Sequence, residues 1–506
     1  MNTNLRHVAF VLLGCFTLLF AQLNRIQVYE ADNLRDHSAN TRTILRQFDQ
    51  VRASIFTSDG VLIAASIDTP PDSSFSYQRT YPEGDLYAHS VGYLGFAVGA
   101  DGMERSHNDI LIGQTDRQQL VQLSNLLRSD AGPGTVVSTL DHQLQLAAKE
   151  ALGDRTGSVV AIDPRTGAIK ALWSWPSFDP NRLSDPSGTA SSAAYNELLG
   201  AEGNPLRARS FRDLSPPGST FKLITAAAAL EHGAATLTNP VFEATTGYTA
   251  PLTTHQIKNF AGRECGGDLT NILVLSCNGP FAQLAAESLG PAAMINQAEA
   301  AGFNSTPPID LPSAVASTYP TDFGQQLSPP TAELPAGTFE KTPVLAQTAI
   351  GQNDVQATPL QMALVMASVA NGGIIPTPHL LSEIRDSSGN VLDQNNPGPW
   401  RQAMRQETAA DLSQALIAAA TEGSGRTAAV DGLVVGAKTG TAQQGGGQAG
   451  AHAWIVAFAG PPNSPPELVV AVLVEATEGS EDQTGGRVAG PIAQRLFQIF
   501  FAQPDQ

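Results

Sequence analysis

Lysine is scarce in these 506 residues: it occurs only at Lys149, Lys170, Lys222, Lys258, Lys341 and Lys438, and arginine carries most of the positive charge. With 29 basic against 47 acidic residues, the formal net charge is −18. Nucleic-acid binding draws most of its affinity from Lys and Arg neutralising phosphates, so this balance argues against a DNA or RNA partner. Cysteine is nearly absent too. Cys15, Cys265 and Cys277 fit no zinc spacing, and no nearby His-x-x-x-His or second Cys-x-x-Cys supplies further ligands, so neither a metal nor another cofactor is expected. What is plentiful is glycine (46) and proline (34), which implies many turns and long connections in a globular chain long enough for two domains.

Residues 8–23 (VAFVLLGCFTLLFAQL) are almost wholly apolar and follow Arg6. A bilayer span needs about 20 apolar residues, so the run reaches that length with its flanks. It ends in Gln22, Leu23, Asn24 and Arg25, with no small-residue cleavage site, and therefore reads as an uncleaved signal-anchor with the rest of the chain outside the cytoplasm. In that location Cys265 and Cys277 can form a disulfide; in a cytosol two free thiols are the expectation. The exported topology favours the disulfide.

From 25 to about 153 the chain is mixed, with a β-like run at 61–65 and the turn-rich Thr69-Pro70-Pro71. Residues 140–152 have helical spacing, with Thr139 and Asp141 as N-terminal signals. Residues 158–163 and 168–173 then read as a β-hairpin that opens a second domain. Within it, 219–232 and 359–370 are helical patterns, 433–437, 453–459 and 468–474 are apolar strands, and 487–501 is a closing helix. Strands at both ends of this domain with helices between them indicate one sheet built from distant parts of the chain and covered by helices. Gly445-Gly446-Gly447 reads as a loop between strands.

Ser219 and Lys222 stand three apart at a helix start, so both can lie on one face. A serine hydroxyl is a poor nucleophile until a base takes its proton, and a lysine of lowered pKa can do so. A lone Ser-x-x-Lys is more simply a helix cap beside a solvated lysine. Here, however, Ser219 is the sole serine placed three before any lysine. Lys438-Thr439-Gly440-Thr441, following the apolar strand and so expected at its end, offers a cation and two hydroxyls to an anion, with a glycine for close backbone approach. Ser276-Cys277-Asn278 adds a hydroxyl and an amide. Ser-x-Asn alone is weak, but the order Ser-x-x-Lys, Ser-x-Asn, Lys-Thr-Gly is that of penicillin-interacting enzymes.

With Ser215-Pro216-Pro217-Gly218 ahead of Ser219, and with Gly351-Gln352 and His452-Ala453-Trp454, the chain closely resembles class B penicillin-binding proteins over nearly its whole length. The anchor followed by Asn33-Leu34-Arg35, the Tyr81-Pro82 segment and a cysteine before the Ser-Cys-Asn turn look most like an actinobacterial branch of that class. Arg52-Ala53 departs from the Arg-Gly of many members. The resemblance implies an α+β penicillin-binding/serine transpeptidase fold, an antiparallel sheet flanked by helices plus a helical subdomain, over residues 154–506. It also implies a smaller, mostly β pedestal domain over 25–153 and an anchor over 1–24.

By the same resemblance, Ser219 attacks the carbonyl of a D-Ala-D-Ala bond, Lys222 is the general base and Lys438 lowers its pKa by like-charge repulsion. Ser276 relays a proton and Asn278 holds the donor peptide. Lys438, Thr439 and Thr441, with Gly440 between them, engage the terminal carboxylate. The N–H groups of Ser219 and Thr441 form the oxyanion hole. The implied partners are stem peptides ending in D-Ala-D-Ala, β-lactam antibiotics and a membrane glycosyltransferase of the SEDS type. A β-lactamase needs a water-activating glutamate that Glu287, Glu299, Glu333 and Glu340 do not supply in the required setting. A D,D-carboxypeptidase shares every motif, and a non-catalytic sensor or scaffold is expected to carry extra spans or to lose Ser219, Lys222 or Lys438.

Overall fold

The computed structural model describes residues 3–26, 48–71, 73, 75–115, 117–119, 133–443, 450–477 and 483–503. The elements that position the site run in chain order from helix α1 (Thr3–Asn24) through strands β1 (Ser54–Phe56), β2 (Leu62–Asp68), β3 (Tyr77–Thr80) and β4 (Thr135–Ser138). Helix α2 (His142–Leu152) leads into the hairpin of β5 (Gly157–Ile162) and β6 (Ile169–Trp175). Helices α3 (Lys222–Glu231) and α4 (Pro359–Ala370) precede a second hairpin, β7 (Leu381–Arg385) and β8 (Val391–Gln394). Then come α5 (Gln406–Thr421), β9 (Val434–Gln443), β10 (Ala451–Gly460), β11 (Leu468–Val474) and α6 (Gly490–Ala502).

Local chemistry accounts for several of these boundaries. The Asp141 carboxylate accepts from the Leu144 N–H at 2.8 Å and starts α2. Thr358 does the same for α4 through Gln361 N–H, with Pro359 at the first helical position, where its missing N–H costs nothing. Three expectations need correction. The 219–232 helix is divided: a 3₁₀ turn over Gly218–Phe221 precedes α3, so Ser219 stands ahead of the α-helix. The closing helix starts as a π turn over Gly485–Ala489. Lys438–Thr441 lie inside β9 rather than at its end, because β10 continues the ladder beside them, with Lys438 opposite Val456 and Thr441 opposite Ala453.

The larger core surrounds an antiparallel five-stranded sheet in the order β9-β10-β11-β5-β6. Val472 pairs with Val159, which closes the sheet across more than 300 residues of intervening chain. Strands β5, β10 and β11 are buried at every position, the pattern of strands covered on both faces. Helix α4 packs on β5, β10 and β11, while α2 and α6 pack on one another and on the sheet; α5 lies along β9.

A second sheet has the order β8-β7-β4-β1-β2-β3. Its outer hairpin is supplied from far down the chain, with Leu381 opposite Ser138. The expected division at 153/154 therefore separates the sequence, while this sheet takes strands from both sides of it. Asp310 strengthens the junction: its carboxylate accepts from Leu380 and Leu381 N–H at 2.7 and 2.8 Å and lies 3.3 Å from His107 Nε2.

Among the described residues no helix is long and apolar enough to cross a membrane. Helix α1 nevertheless turns Phe10, Phe16, Leu18 and Phe20 outward, each at least 69% exposed. Asn33-Leu34-Arg35 and Gly445-Gly446-Gly447 lie outside the described residues.

Beneath the second sheet, Glu104 is fully buried between two arginines that are nearly so. Arg52 Nε donates to one carboxylate oxygen at 3.1 Å and Arg79 Nε to the other at 2.5 Å. The two guanidiniums hold this carboxyl below its ordinary pKa against the opposing effect of burial. Removing one partner of a buried pair leaves the other charge uncompensated. We expect Glu104→Ala to lower stability by about 3–5 kcal/mol, measured as the urea-unfolding midpoint of the second sheet's transition, with Glu104→Gln losing less.

Candidate active site

Pro216-Pro217-Gly218 presses the Ser219 turn against β9 and β10. Gly218 has φ of +53°, and its N–H donates to Gly351 O at 3.0 Å. A Cβ there would meet Thr441 O and Ala442 Cβ at 3.0 Å, so only glycine allows both the backbone conformation and this close approach. Trp454 Nε1 donates to Pro216 O at 3.0 Å, and a Cβ on Gly440 would meet Pro217 O at 2.9 Å. These contacts set the half-buried Ser219 beside Thr441, two residues that 222 positions separate in sequence. Among the described residues the Ser219 hydroxyl forms no hydrogen bond.

Lys222, one residue beyond that turn, is completely buried. Its Nζ donates to Ser276 O and to Asn278 Oδ1, both at 2.7 Å, and lies 3.3 Å from Ser276 Oγ. Lys438, 1% exposed, reaches the same hydroxyl from β9: its Nζ lies 2.8 Å from Ser276 Oγ and 3.1 Å from Thr439 O. Two ammonium groups around one hydroxyl, with no carboxylate among these partners, disfavour full charging of both. Burial, and then the charge of Lys438, holds Lys222 well below the ordinary lysine range. Burial alone lowers Lys438 to about 7.

The Ser276–Asn278 turn is itself under constraint. Ser276 has φ of +59°, which a non-glycine residue seldom adopts and which surrounding structure must hold in place. Two devices hold it. Cys277 is disulfide-bonded to Cys265, and the buried Asn259 side chain accepts from Asn278 and Gly279 N–H at 2.8 and 2.9 Å. Asn278 Nδ2 donates to Lys258 O at 2.9 Å, which leaves Oδ1 turned to Lys222.

Thr439 is held from another side: its hydroxyl lies 2.5 Å from that of Ser424, in the 3₁₀ turn after α5. Every expected catalytic or substrate-binding residue, Ser219, Lys222, Ser276, Asn278, Lys438, Thr439, Gly440 and Thr441, thus lies on one of three neighbouring elements, and Cys265 and Cys277 are joined beside them. Asn259 and Ser424 were not singled out from sequence. No short motif surrounds Asn259; for Ser424 the faint signal is a hydroxyl between two glycines directly after a long helix. Among the described residues no group of His, Cys, Asp and Glu side chains could hold a metal ion.

A half-buried serine three residues ahead of a desolvated amine, with a second cation and strand-edge hydroxyls for an anion, is the equipment of a serine acyl-transfer enzyme. Comparison with known proteins narrows this further. A profile of the penicillin-binding protein transpeptidase domain matches residues 157–498, and one of the penicillin-binding protein A dimerisation domain matches 52–137. The chain is 35% identical over 508 residues to peptidoglycan D,D-transpeptidase PbpA of Mycolicibacterium smegmatis, covering 98% of both chains. It is 33% identical over 510 residues to PbpA of Mycobacterium tuberculosis, covering 98% of this chain and 99% of that one. The ceftriaxone acyl-enzyme complex of M. tuberculosis penicillin-binding protein A superposes with a TM-score of 0.79 at 31% identity, over 90% of this chain and 99% of that one. The chain belongs to the penicillin-binding protein transpeptidase family, as a class B member.

The role of Asn259 is open to measurement. Asn259→Ala leaves two turn N–H groups without their acceptor, and the loss of one buried hydrogen bond is worth roughly 1–2 kcal/mol. The second-order rate of acylation by benzylpenicillin is expected to fall by about tenfold, with Asn259→Asp restoring part of it.

Proposed function

We propose that the protein is a peptidoglycan D,D-transpeptidase acting through an acyl-Ser219 intermediate and trapped by β-lactams. The observation that carries this reading is the hydrogen-bond pattern of Lys222. A neutral amine has two N–H groups and one lone pair. Ser276 O and Asn278 Oδ1, each 2.7 Å away, take up both N–H groups, so the lone pair remains free to accept a proton, and Ser219 stands three residues ahead in the adjoining turn.

The steps follow from this arrangement. As Ser219 Oγ bonds to the carbonyl carbon of the penultimate D-alanine, its proton passes to Lys222. The developing oxyanion is met by the N–H groups of Ser219 and Thr441. Lys438, Thr439 and Thr441 bind the terminal carboxylate, with Gly440 allowing the peptide to approach β9. The C–N bond then breaks, and the leaving amine receives a proton through Ser276, whose hydroxyl spans Lys222 and Lys438. Asn278 orients the donor peptide. An amine from a neighbouring stem peptide attacks the acyl carbonyl and loses its proton to Lys222; the Ser219 ester bond then breaks, Ser219 Oγ takes that proton back from Lys222, and the cross-link is complete. Water in place of that amine gives carboxypeptidase activity.

The division of labour along the chain is part of the proposal: residues 1–24 anchor it, 25–153 form a non-catalytic pedestal and 154–506 carry the chemistry. The apolar run after Arg6, folded as α1 with its large side chains exposed, supports a single-pass anchor and an extracytoplasmic catalytic domain. A membrane glycosyltransferase of the SEDS type supplies the strands to be cross-linked. Removal of residues 1–24 is expected to move the protein from the membrane fraction to the soluble one after cell lysis.

Labelling with a fluorescent penicillin and intact-protein mass measurement test the chemistry. The wild type gains one stable adduct at Ser219, and Ser219→Ala and Lys222→Ala gain none; an adduct elsewhere, or rapid release of hydrolysed drug, overturns the assignment. The pH dependence has a defined sign. Acylation requires neutral Lys222, so its rate falls as the pH drops through the depressed pKa of that lysine. Lys438→Gln removes a like charge, raises that pKa and moves the acid limb to higher pH, as pre-steady-state acylation across pH will read.

A further inference from the structure

One stretch beside the catalytic turn has a charge opposite to that of the chain. Residues 244–263 contain no aspartate or glutamate, in a protein that carries 47, and include His255, Lys258 and Arg263. All three are exposed, and among the described residues none of them takes part in an ion pair. Phe260, between the two stronger cations in sequence, is 58% exposed.

This stretch is attached to the site at both ends. Lys258 O accepts from Asn278 Nδ2 at 2.9 Å, the neighbouring Asn259 carries the turn N–H groups, and Cys265 is bonded to Cys277. Residues 258–265 therefore form a short rim clamped on either side of Ser276–Asn278. At its tip Ala261 and Gly262 both have positive φ, at 54° and 67°, which folds the rim tightly on itself. The rim, fixed to the catalytic turn, carries an exposed aromatic and two cations against one carboxylate, the exposed Glu264, with which neither cation forms an ion pair. The aromatic and the cations match an acidic peptide.

Resting on the transpeptidase reading, we infer that the rim from Lys258 to Arg263 is a subsite for the donor stem peptide, at which Lys258 and Arg263 pair with a carboxylate on a residue upstream of the scissile bond and Phe260 covers its aliphatic part. The subsite makes the enzyme select donors that carry a free acid over the same donors in amide form.

Two matched pairs of acylating agents test this. One pair is penicillins whose side chain ends in a carboxylate or in the corresponding primary amide; the other is donor peptide thioesters with an acid or an amide at the residue upstream of D-alanine. The readout is the ratio of second-order acylation rates, acid over amide, so that any general loss of activity in a variant cancels. In the wild type we expect this ratio to be about 3–10 at low salt and to fall with ionic strength, the size and behaviour of exposed charge pairs. Lys258→Gln/Arg263→Gln should bring it to about 1 and remove the salt dependence; Arg263→Glu should push it below 1. A ratio that is the same in wild type and double variant overturns the subsite. The penicillin pair reads the rim whether or not peptides are turned over, so an enzyme that fails with both thioesters yet keeps the penicillin ratio contradicts the transpeptidase reading alone.

Discussion

Two lysine amines share one serine hydroxyl at the centre of this molecule, and much of the architecture serves to keep them there without water. Lys222 and Lys438 come from different layers, one from a helix and one from a strand. Each is nearly or completely excluded from solvent, and Ser276 Oγ lies 3.3 and 2.8 Å from them. A buried ammonium without a carboxylate is costly, and two together are more so; the favourable response is loss of a proton rather than unfolding. The depressed basicity of Lys222 is thus a direct result of placing it in the core beside Lys438.

Keeping these groups at fixed distances requires rigidity in the turn that joins them. Ser276 is in a left-handed backbone conformation, and its carbonyl faces Lys222. The disulfide and the Asn259 side chain tie this turn to residues 258–265. The opposite wall is β9, backed by α5 and braced at Thr439 by Ser424. Close contacts at Gly218 and Gly440 draw the serine turn onto that strand. Three elements from distant parts of the sequence thereby converge within hydrogen-bond range, and the same ties that hold the turn also present the basic rim to an approaching donor.

The two sheets are joined by more than a linker. Hairpin β7–β8 leaves the catalytic core after α4, completes the second sheet against β4, and returns to α5, which lies along β9. Asp310 binds the start of that hairpin to His107. Displacing the second sheet therefore acts on a segment whose next helix backs the strand that holds Lys438.

Much was legible in the sequence. Ser219, Lys222, Ser276, Asn278 and Lys438-Thr439-Gly440-Thr441 stand out because short side-chain patterns in a set order survive without knowledge of the fold. The hairpin at 158–173, the helix capped by Asp141 and the buried strands follow from periodicity, which is a local property. Tertiary structure decided the rest. A 3₁₀ turn separates Ser219 from α3 because the turn must meet β9, and Lys438–Thr441 lie within a strand because β10 continues the ladder beside them. Asn259, Ser424 and the strands lent by residues 381–394 left no clear local signal, since their roles depend on partners 14 to 250 residues away. Sequence alone determined which chemical groups this protein has. Only the fold decided how far they stand from one another and from water, because distance and burial are set by contacts that no short segment contains.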